Sequence, residues 1–374
     1  MSQTQRTMTR DQLEELLRRN DNKASRINLS GRVLAGQNLA GMELDGIIME
    51  GADLRGTILI GTSLQDANLQ GTQLGPDSDN KCADLRWAQL QRAQLQGANL
   101  ECADLQSAEL EEADLDKAVL SGVNLEGANL KEAHLEEAVM SRVNLQGANL
   151  THTVLQGANL SEVNLKQATL SSTQLNQDSL GQSILQEKQG KYQEARYIYL
   201  ALKNNFEEIG DDEAASWAYV KQREMERKTY FPLYARQYHY DREVPRDASP
   251  ALVALYWRPK FYIKYGFKWL RSFVLGMFWG YGEKPANALL FAIVAVSFFT
   301  LFFWWQGGIV AMPARDLRLW DYFIYTLGAF TTTSFADMNP VTSLAKIMTS
   351  LVGIAGVTAL AIFASALGQR IGGR

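Results

Sequence analysis

Four hydroxyl side chains in a row, Thr331, Thr332, Thr333 and Ser334, are followed by Phe335, Ala336 and the carboxylate of Asp337, with Pro340 three residues further on. Hydroxyl and carboxylate oxygens are hard donors, and repeated around a symmetry axis they coordinate partly hydrated cations, with an acidic ring drawing ions to the mouth. Other chemistry is sparse. His134, His152 and His239 lack the spacing of metal ligands. Cys82 and Cys102, the two cysteines of the chain, are too few for a disulfide framework and fit a reducing compartment. No phosphate-binding glycine loop and no nucleophile–base pair is present, so the sequence predicts no enzyme activity and calls for no cofactor.

The row of oxygen donors lies between two uncharged stretches. No charged residue occurs between Lys284 and Arg315, nor between Lys346 and Arg370. Each gap exceeds the roughly 20 residues that cross a bilayer as a helix. Pro285 suits a first helical turn, and the apolar run that follows ends on Trp304 and Trp305, with Trp279 as its aromatic partner at the other end. The second span is expected over about 343–367. Between them, residues 321–330 are apolar enough for a half-span helix, and non-helical backbone at membrane depth is tolerated only where it lines a watery path. Eight flanking bases lie on the side of Arg258, Lys284 and Arg370, against Arg315, Arg318 and Lys346 on the other. That imbalance predicts the plasma (inner) membrane with both termini in the cytoplasm. The first residues hold charges and no apolar run, so no secretory signal is expected there. Residues 257–279 mix Lys260, Lys264, Lys268 and Arg271 with many aromatics, which is the composition of a helix lying on a lipid surface.

The first half of the chain has a different grammar. From Leu29 to Leu74 and again from Leu85 to Leu180 a Leu recurs every fifth residue, with Met49 and Met140 as substitutes. A small residue often stands two positions earlier, as with Ala98 before Leu100 and Ala148 before Leu150. A helix requires spacing near 3.6 and a flat strand requires 2, so neither fits. A corner every five residues gives a four-sided coil of 20, with Ala and Leu inward and backbone ladders between coils. This pattern resembles the pentapeptide-repeat family, which implies a right-handed quadrilateral β-helix. The beat slips at 75–80, a turn-rich run expected to bulge out. Thr9 and the residues after it predict an N-capped amphipathic helix with Leu13, Leu16 and Leu17 on one face, covering the open first coil. Residues 1–184 carry 25 acids against 15 bases. Some rods of this family mimic duplex DNA, but outward acids also keep any such rod soluble. The favoured reading is a spacer or a surface for an unidentified protein, with no nucleic-acid partner. Residues 184–228 take up helical spacing, with Ala195, Tyr199, Leu202 and Phe206 on one face and a break at 209–212.

Over 282–370 the chain resembles the two-span pore domain of tetrameric potassium channels. That family's pattern T-T-V-G-Y-G-D-x-x-P is met by Thr331, Thr332, Thr333, Ser334, Phe335, Ala336, Asp337 and Pro340 as a filter, with Gly356 at the distance of the gating hinge. Both filter glycines are replaced, by Ser334 and Ala336, which disfavours the left-handed backbone that the resemblance requires. A literal Gly-Tyr-Gly does occur at 280–282, but it precedes the first span and cannot serve. The resemblance implies a homotetramer conducting permeant cations with weak potassium selectivity, the lipid bilayer being its other partner. The alternative is a non-conducting membrane scaffold. The expected organisation is thus a capping helix (1–26), a pentapeptide-repeat β-helix (27–183), an α-helical connector (184–230), a linker with an interfacial helix (231–284), and a two-span α-helical membrane pore domain with a re-entrant loop (285–374).

Overall fold

The computed structural model of the chain describes residues 7–231, 234–235, 239, 253, 258–279, 285–312, 314–333 and 337–372. It divides into two compact units, Met1–Glu226 and Arg227–Arg374.

In the first unit each five-residue repeat contributes one parallel β-bridge to the coils on either side. Four successive sides of one coil pair as Asp104↔Asn124, Glu109↔Asn129, Asp114↔His134 and Val119↔Val139, so the coil is four-sided with 20 residues per turn. Leu105 donates its N–H to the Asn124 carbonyl, and Asp104 donates to the Ala83 carbonyl, so one side bonds both neighbours. The repeated Leu and Ala positions form the core, with Ala98, Leu100, Ala128 and Leu130 all fully buried. Burial of that stack acts together with the backbone ladders to hold the sides in place. At each corner the second residue after the Leu takes a left-handed backbone, whether it is Gly97 (φ 64) or Glu112 (φ 58). The 75–80 run is looped out as expected, and the ladder spacing there grows to 26, as in Ile58↔Asp84. Asp77 organises the loop, its carboxylate accepting the N–H groups of Asp79 and Lys81, each at 2.9 Å.

The 20-residue coil also corrects the reading of the cysteines. Cys82 and Cys102 occupy the same corner on adjacent coils with Cα atoms 5.7 Å apart, and they are joined as a disulfide rather than held as two thiols. The spacing of adjacent coils alone brings them within the range a disulfide requires.

Open ladder edges are closed at both ends. At the start, Thr7 bridges Val33 and the Met8 N–H donates to the Val33 carbonyl at 2.8 Å. Helix α1 (Arg10–Arg19) follows, N-capped by Thr9, and buries Leu13 and Leu17 on the first coil while Leu16 packs at its margin. At the far end come α2 (Leu185–Lys188), α3 (Tyr192–Ile209) and α4 (Asp212–Tyr230), with the α3–α4 break at Gly210. Ala195, Tyr199, Leu202 and Phe206 are fully buried, as the helical spacing predicts. Asn205 on the same face stands in for the missing next coil. Its amide nitrogen donates to the Thr173 carbonyl at 2.9 Å and its oxygen accepts the Thr173 N–H at 2.8 Å. Beside it, the Ser172 hydroxyl and N–H hold the Glu208 carboxyl below the usual carboxylate range. Because that shift is downward, the clamp is intact at neutral pH and is lost as pH falls through the lowered value.

The second unit is helical: α5 (Arg258–Trp279), α6 (Pro285–Gln306), α7 (Leu319–Phe330) and α8 (Ser343–Gly372). Two short strands, β1 (Ile309–Ala311) and β2 (Met338–Pro340), pair antiparallel with Val310 opposite Asn339. In α5, Phe261 and Tyr265 are buried with Ala235, while Ile263 and Phe267 are 73% and 69% exposed. In α8, Ser343–Ala361 is long and apolar enough to cross a membrane, whereas the apolar stretch found in α6, Leu290–Gln306, is shorter.

Replacing Asn205 with Leu keeps the branched shape and leaves the Thr173 carbonyl buried and unpaired, while the Thr173 N–H keeps the Leu170 carbonyl at 3.1 Å. One such group costs about 1–3 kcal/mol, so Asn205→Leu is expected to lower the unfolding free energy of the first unit by about that much. Glu101→Lys, on the exposed outer face, is expected to change it by less than about 0.5 kcal/mol. Denaturant titration of the two variants checks the pair.

Candidate pore segment

Helix α7 is held between α6 and α8 by one cluster. Phe303 of α6 is fully buried and meets the Tyr325 ring edge-on at 5.5 Å, and the Tyr325 hydroxyl lies 2.8 Å from the Thr349 hydroxyl on α8. At the N-terminus of α7 the Asp321 carboxylate accepts the Arg318 N–H at 2.8 Å and the Arg315 guanidinium at 2.9 Å. An acid there also faces the positive end of the helix dipole.

The other end of α7 carries the candidate donors. Thr333 donates its N–H to the Gly328 carbonyl at 2.9 Å and Thr332 donates to Ala329 at 3.3 Å, the paired bonds of a Schellman cap. That cap places its third residue in the left-handed region, and here the residue is Thr332 (φ 59), β-branched and without the freedom of glycine. The Thr331 hydroxyl donates to the Leu327 carbonyl at 2.9 Å and lies 2.8 Å from the Thr333 hydroxyl, while Thr332 donates to the Thr331 carbonyl at 2.7 Å. A hydroxyl has one proton and two lone pairs, so oxygens whose protons bond helix carbonyls keep acceptor capacity for a cation. Thr331, Thr332 and Thr333 are exposed.

The expected filter positions Ser334, Phe335 and Ala336 lie outside the described residues, as does the Gly-Tyr-Gly at 280–282. Asp337 follows with its carbonyl accepting the Met312 N–H at 2.7 Å and its exposed carboxylate 3.9 Å from the Arg315 guanidinium. Arg315 thus reaches both Asp321 at the start of α7 and the Asp337 carboxylate, which lies beside that start. Nothing in the sequence marks it, because it is one of two arginines in a polar connection. Gly356 lies in the middle of α8, within one continuous helix and beneath the last residue of α7. The structure therefore brings Thr331, Thr332, Thr333 and Gly356 to the same end of α7, with Asp337 on the strand side.

With this geometry in view, the comparisons with known proteins are direct. Residues 288–372 match the ion-channel family, and residues 34–71, 83–122, 118–157 and 144–177 match pentapeptide repeats, in 8 copies. The chain belongs to the pentapeptide-repeat proteins and carries an ion-channel domain after its repeats. Among solved structures it is similar to HetL, a pentapeptide repeat protein involved in heterocyst differentiation regulation from the cyanobacterium Nostoc sp. strain PCC 7120. Identity there is 33% over 39% of this chain and 71% of HetL, with a TM-score of 0.25. It is also similar to the pentapeptide repeat protein Rfr23 of the cyanobacterium Cyanothece 51142, at 35% identity over 30% of this chain and 85% of that one, TM-score 0.26. A third likeness is to QnrB1, a plasmid-mediated fluoroquinolone resistance protein, at 19% identity over 44% and 98%, TM-score 0.23. No curated protein matches the chain.

A left-handed backbone costs an L-residue roughly 1–2 kcal/mol relative to glycine. Thr332→Gly is therefore expected to tighten the cap and slow hydrogen exchange at the Thr333 amide about fivefold. Unchanged or faster exchange contradicts the strain assigned to Thr332.

Proposed function

We propose that the chain is a homotetrameric channel for monovalent cations, anchored in the plasma (inner) membrane by two spans, α6 and α8, with α7 as a re-entrant half-span. One observation carries this reading. A short helix too small to cross a membrane is pinned between two apolar helices and ends on a cluster of exposed hydroxyls followed by an exposed acid. One copy cannot enclose a path, and four copies repeat the cluster around an axis. Membrane location accords with the ion-channel match. The flanking bases favour both termini in the cytoplasm.

On this reading the β-helix winds right-handed and lies in the cytoplasm, a reducing compartment in which the half-buried Cys82–Cys102 bond is open to reduction, and its capped coils present a rigid surface for a protein partner. Helix α5 lies in the headgroup layer with Ile263 and Phe267 toward lipid. At the outer mouth the Asp337 carboxylates attract cations, moderated by an Arg315 beside each. Selectivity for potassium over sodium is weak, because Ser334 and Ala336 stand where the resembled filter has glycine and disfavour the left-handed geometry that aligns its carbonyls.

Purified full-length chain in planar bilayers, with potassium on one side and sodium on the other, is expected to pass current that reverses near zero. Ser334→Gly combined with Ala336→Gly is expected to move the reversal toward the potassium equilibrium potential. A wild-type reversal already at that potential would sink the selectivity claim, and the absence of any current would sink the channel itself.

A further inference from the structure

The resemblance stated above assigns Gly356 to a hinge, and the packing of α7 on α8 points elsewhere. A methyl group built at Gly356 would overlap the Phe330 carbonyl oxygen and lie 2.6 Å from its carbon and 3.1 Å from its Cα. Those atoms are backbone, so a side chain there has nothing flexible to push aside. One turn earlier a methyl at Gly353 would stand 3.4 Å from the Ala329 carbonyl oxygen, an ordinary contact. One turn before that, Thr349 lies in hydrogen-bond reach of Tyr325. The three α8 residues follow in the order that the last turns of α7 present their partners: Tyr325 on Thr349, Ala329 on Gly353, Phe330 on Gly356.

We infer that Thr349 and Gly356 form a seat that fixes the depth of α7, with Gly353 between them in ordinary contact only, and that Gly356 acts on the pore as a positioning residue through this contact rather than by bending. Phe330 directly precedes Thr331, so the oxygen donors of the Schellman cap are placed by where Phe330 rests. A displacement of the Phe330 carbonyl carries Thr331, Thr332 and Thr333 with it, since their cap bonds run to Leu327, Gly328 and Ala329 in the same turn. The consequence for ion passage rests on the channel reading, whereas the seat itself is a matter of packing and is measured without current.

Gly353 supplies an internal control. Alanine at either glycine stiffens α8 to the same degree, yet only at Gly356 does it strike backbone. Hydrogen exchange of the full-length chain in lipid nanodiscs, read over residues 327–333, is expected to rise at least tenfold in Gly356→Ala and to match the wild type in Gly353→Ala. Thr349→Val, which removes one side of the Tyr325 contact without a steric clash, is expected to raise exchange severalfold, and Thr349→Ser to restore it. In bilayer recordings Gly356→Ala and Thr349→Val are expected to change unitary conductance and the potassium-to-sodium permeability ratio, with Gly353→Ala and Thr349→Ser like the wild type. Wild-type exchange in both Gly356→Ala and Thr349→Val overturns the seat. Equal loss of open probability in the two glycine variants, with conductance unchanged, also overturns it and restores the hinge. Should Gly356→Ala fail to assemble, the Thr349 pair decides. If the wild type carries no current, the channel reading fails and the exchange measurements still decide the seat.

Discussion

A backbone N–H or C=O removed from water has to find a partner, and this requirement governs both units of the chain. A five-residue side is too short to be a strand in its own right, so each Leu or Asp of the β-helix survives only by bonding the coils above and below. The cost of the arrangement falls at the ends, where a coil has no neighbour. The chain meets it with different means at each: the Met8 amide and α1 at one end, and the amide of Asn205 at the other. The same requirement reappears in the second unit, where α7 ends away from a full crossing and its terminal carbonyls are taken up by the amides and hydroxyls of Thr331, Thr332 and Thr333. Residues that satisfy a helix end are thereby gathered into a cluster of outward oxygens. On the proposed channel reading, the oxygen donors and the helix cap are one structure.

Side-chain layers reinforce this backbone order. Asn144 bonds Asn124 and Asn164 bonds Asn144, at 3.0 and 2.8 Å, so an amide ladder runs along one face with the same period as the backbone. Paired charges such as Arg92 with Asp66 and Lys131 with Glu111 join adjacent coils on the outer face. Exposed pairs of this kind contribute little each, so the Leu and Ala stack carries the stability and the surface sets solubility and partner choice.

Much of this was legible in the sequence because it depends on period. The five-residue beat of Leu with a preceding Ala dictates inward and outward positions, and the 20-residue coil follows from four corners. The α3–α4 break at Gly210 and a short helix ending at Phe330 were legible for the same reason: apolar spacing and a change of grammar mark them locally. Asn205 was not, since an Asn on a helix face gains its role only when α3 lands on the last coil. Arg315 was equally silent, because its two acids are 6 and 22 residues away and converge only where the chain returns to pair β2 with β1. Thr332 escaped notice because left-handed backbone is read from glycine, and there the Schellman cap imposes it on a β-branched residue. Glu112 and Lys117 at β-helix corners show the same override, with the ladder fixing φ whatever the side chain. The bond between Cys82 and Cys102 was half legible: the coil length places the pair together, while composition alone suggested free thiols.

Gly356 shows the limit of reasoning by resemblance. Its distance from Ala336 fits a family position, yet its surroundings, the Phe330 carbonyl above all, are visible only once α7 and α8 are packed. The central claim is that four copies bring the ends of α7 together around one ion path. Cryo-electron microscopy of the full-length chain in lipid nanodiscs tests it most directly. The account predicts a four-fold map in which Thr331, Thr332 and Thr333 of every copy face a common axis with Asp337 at its outer mouth, and a map showing single copies, two-fold pairs, or four copies with these residues turned away from the axis would contradict it.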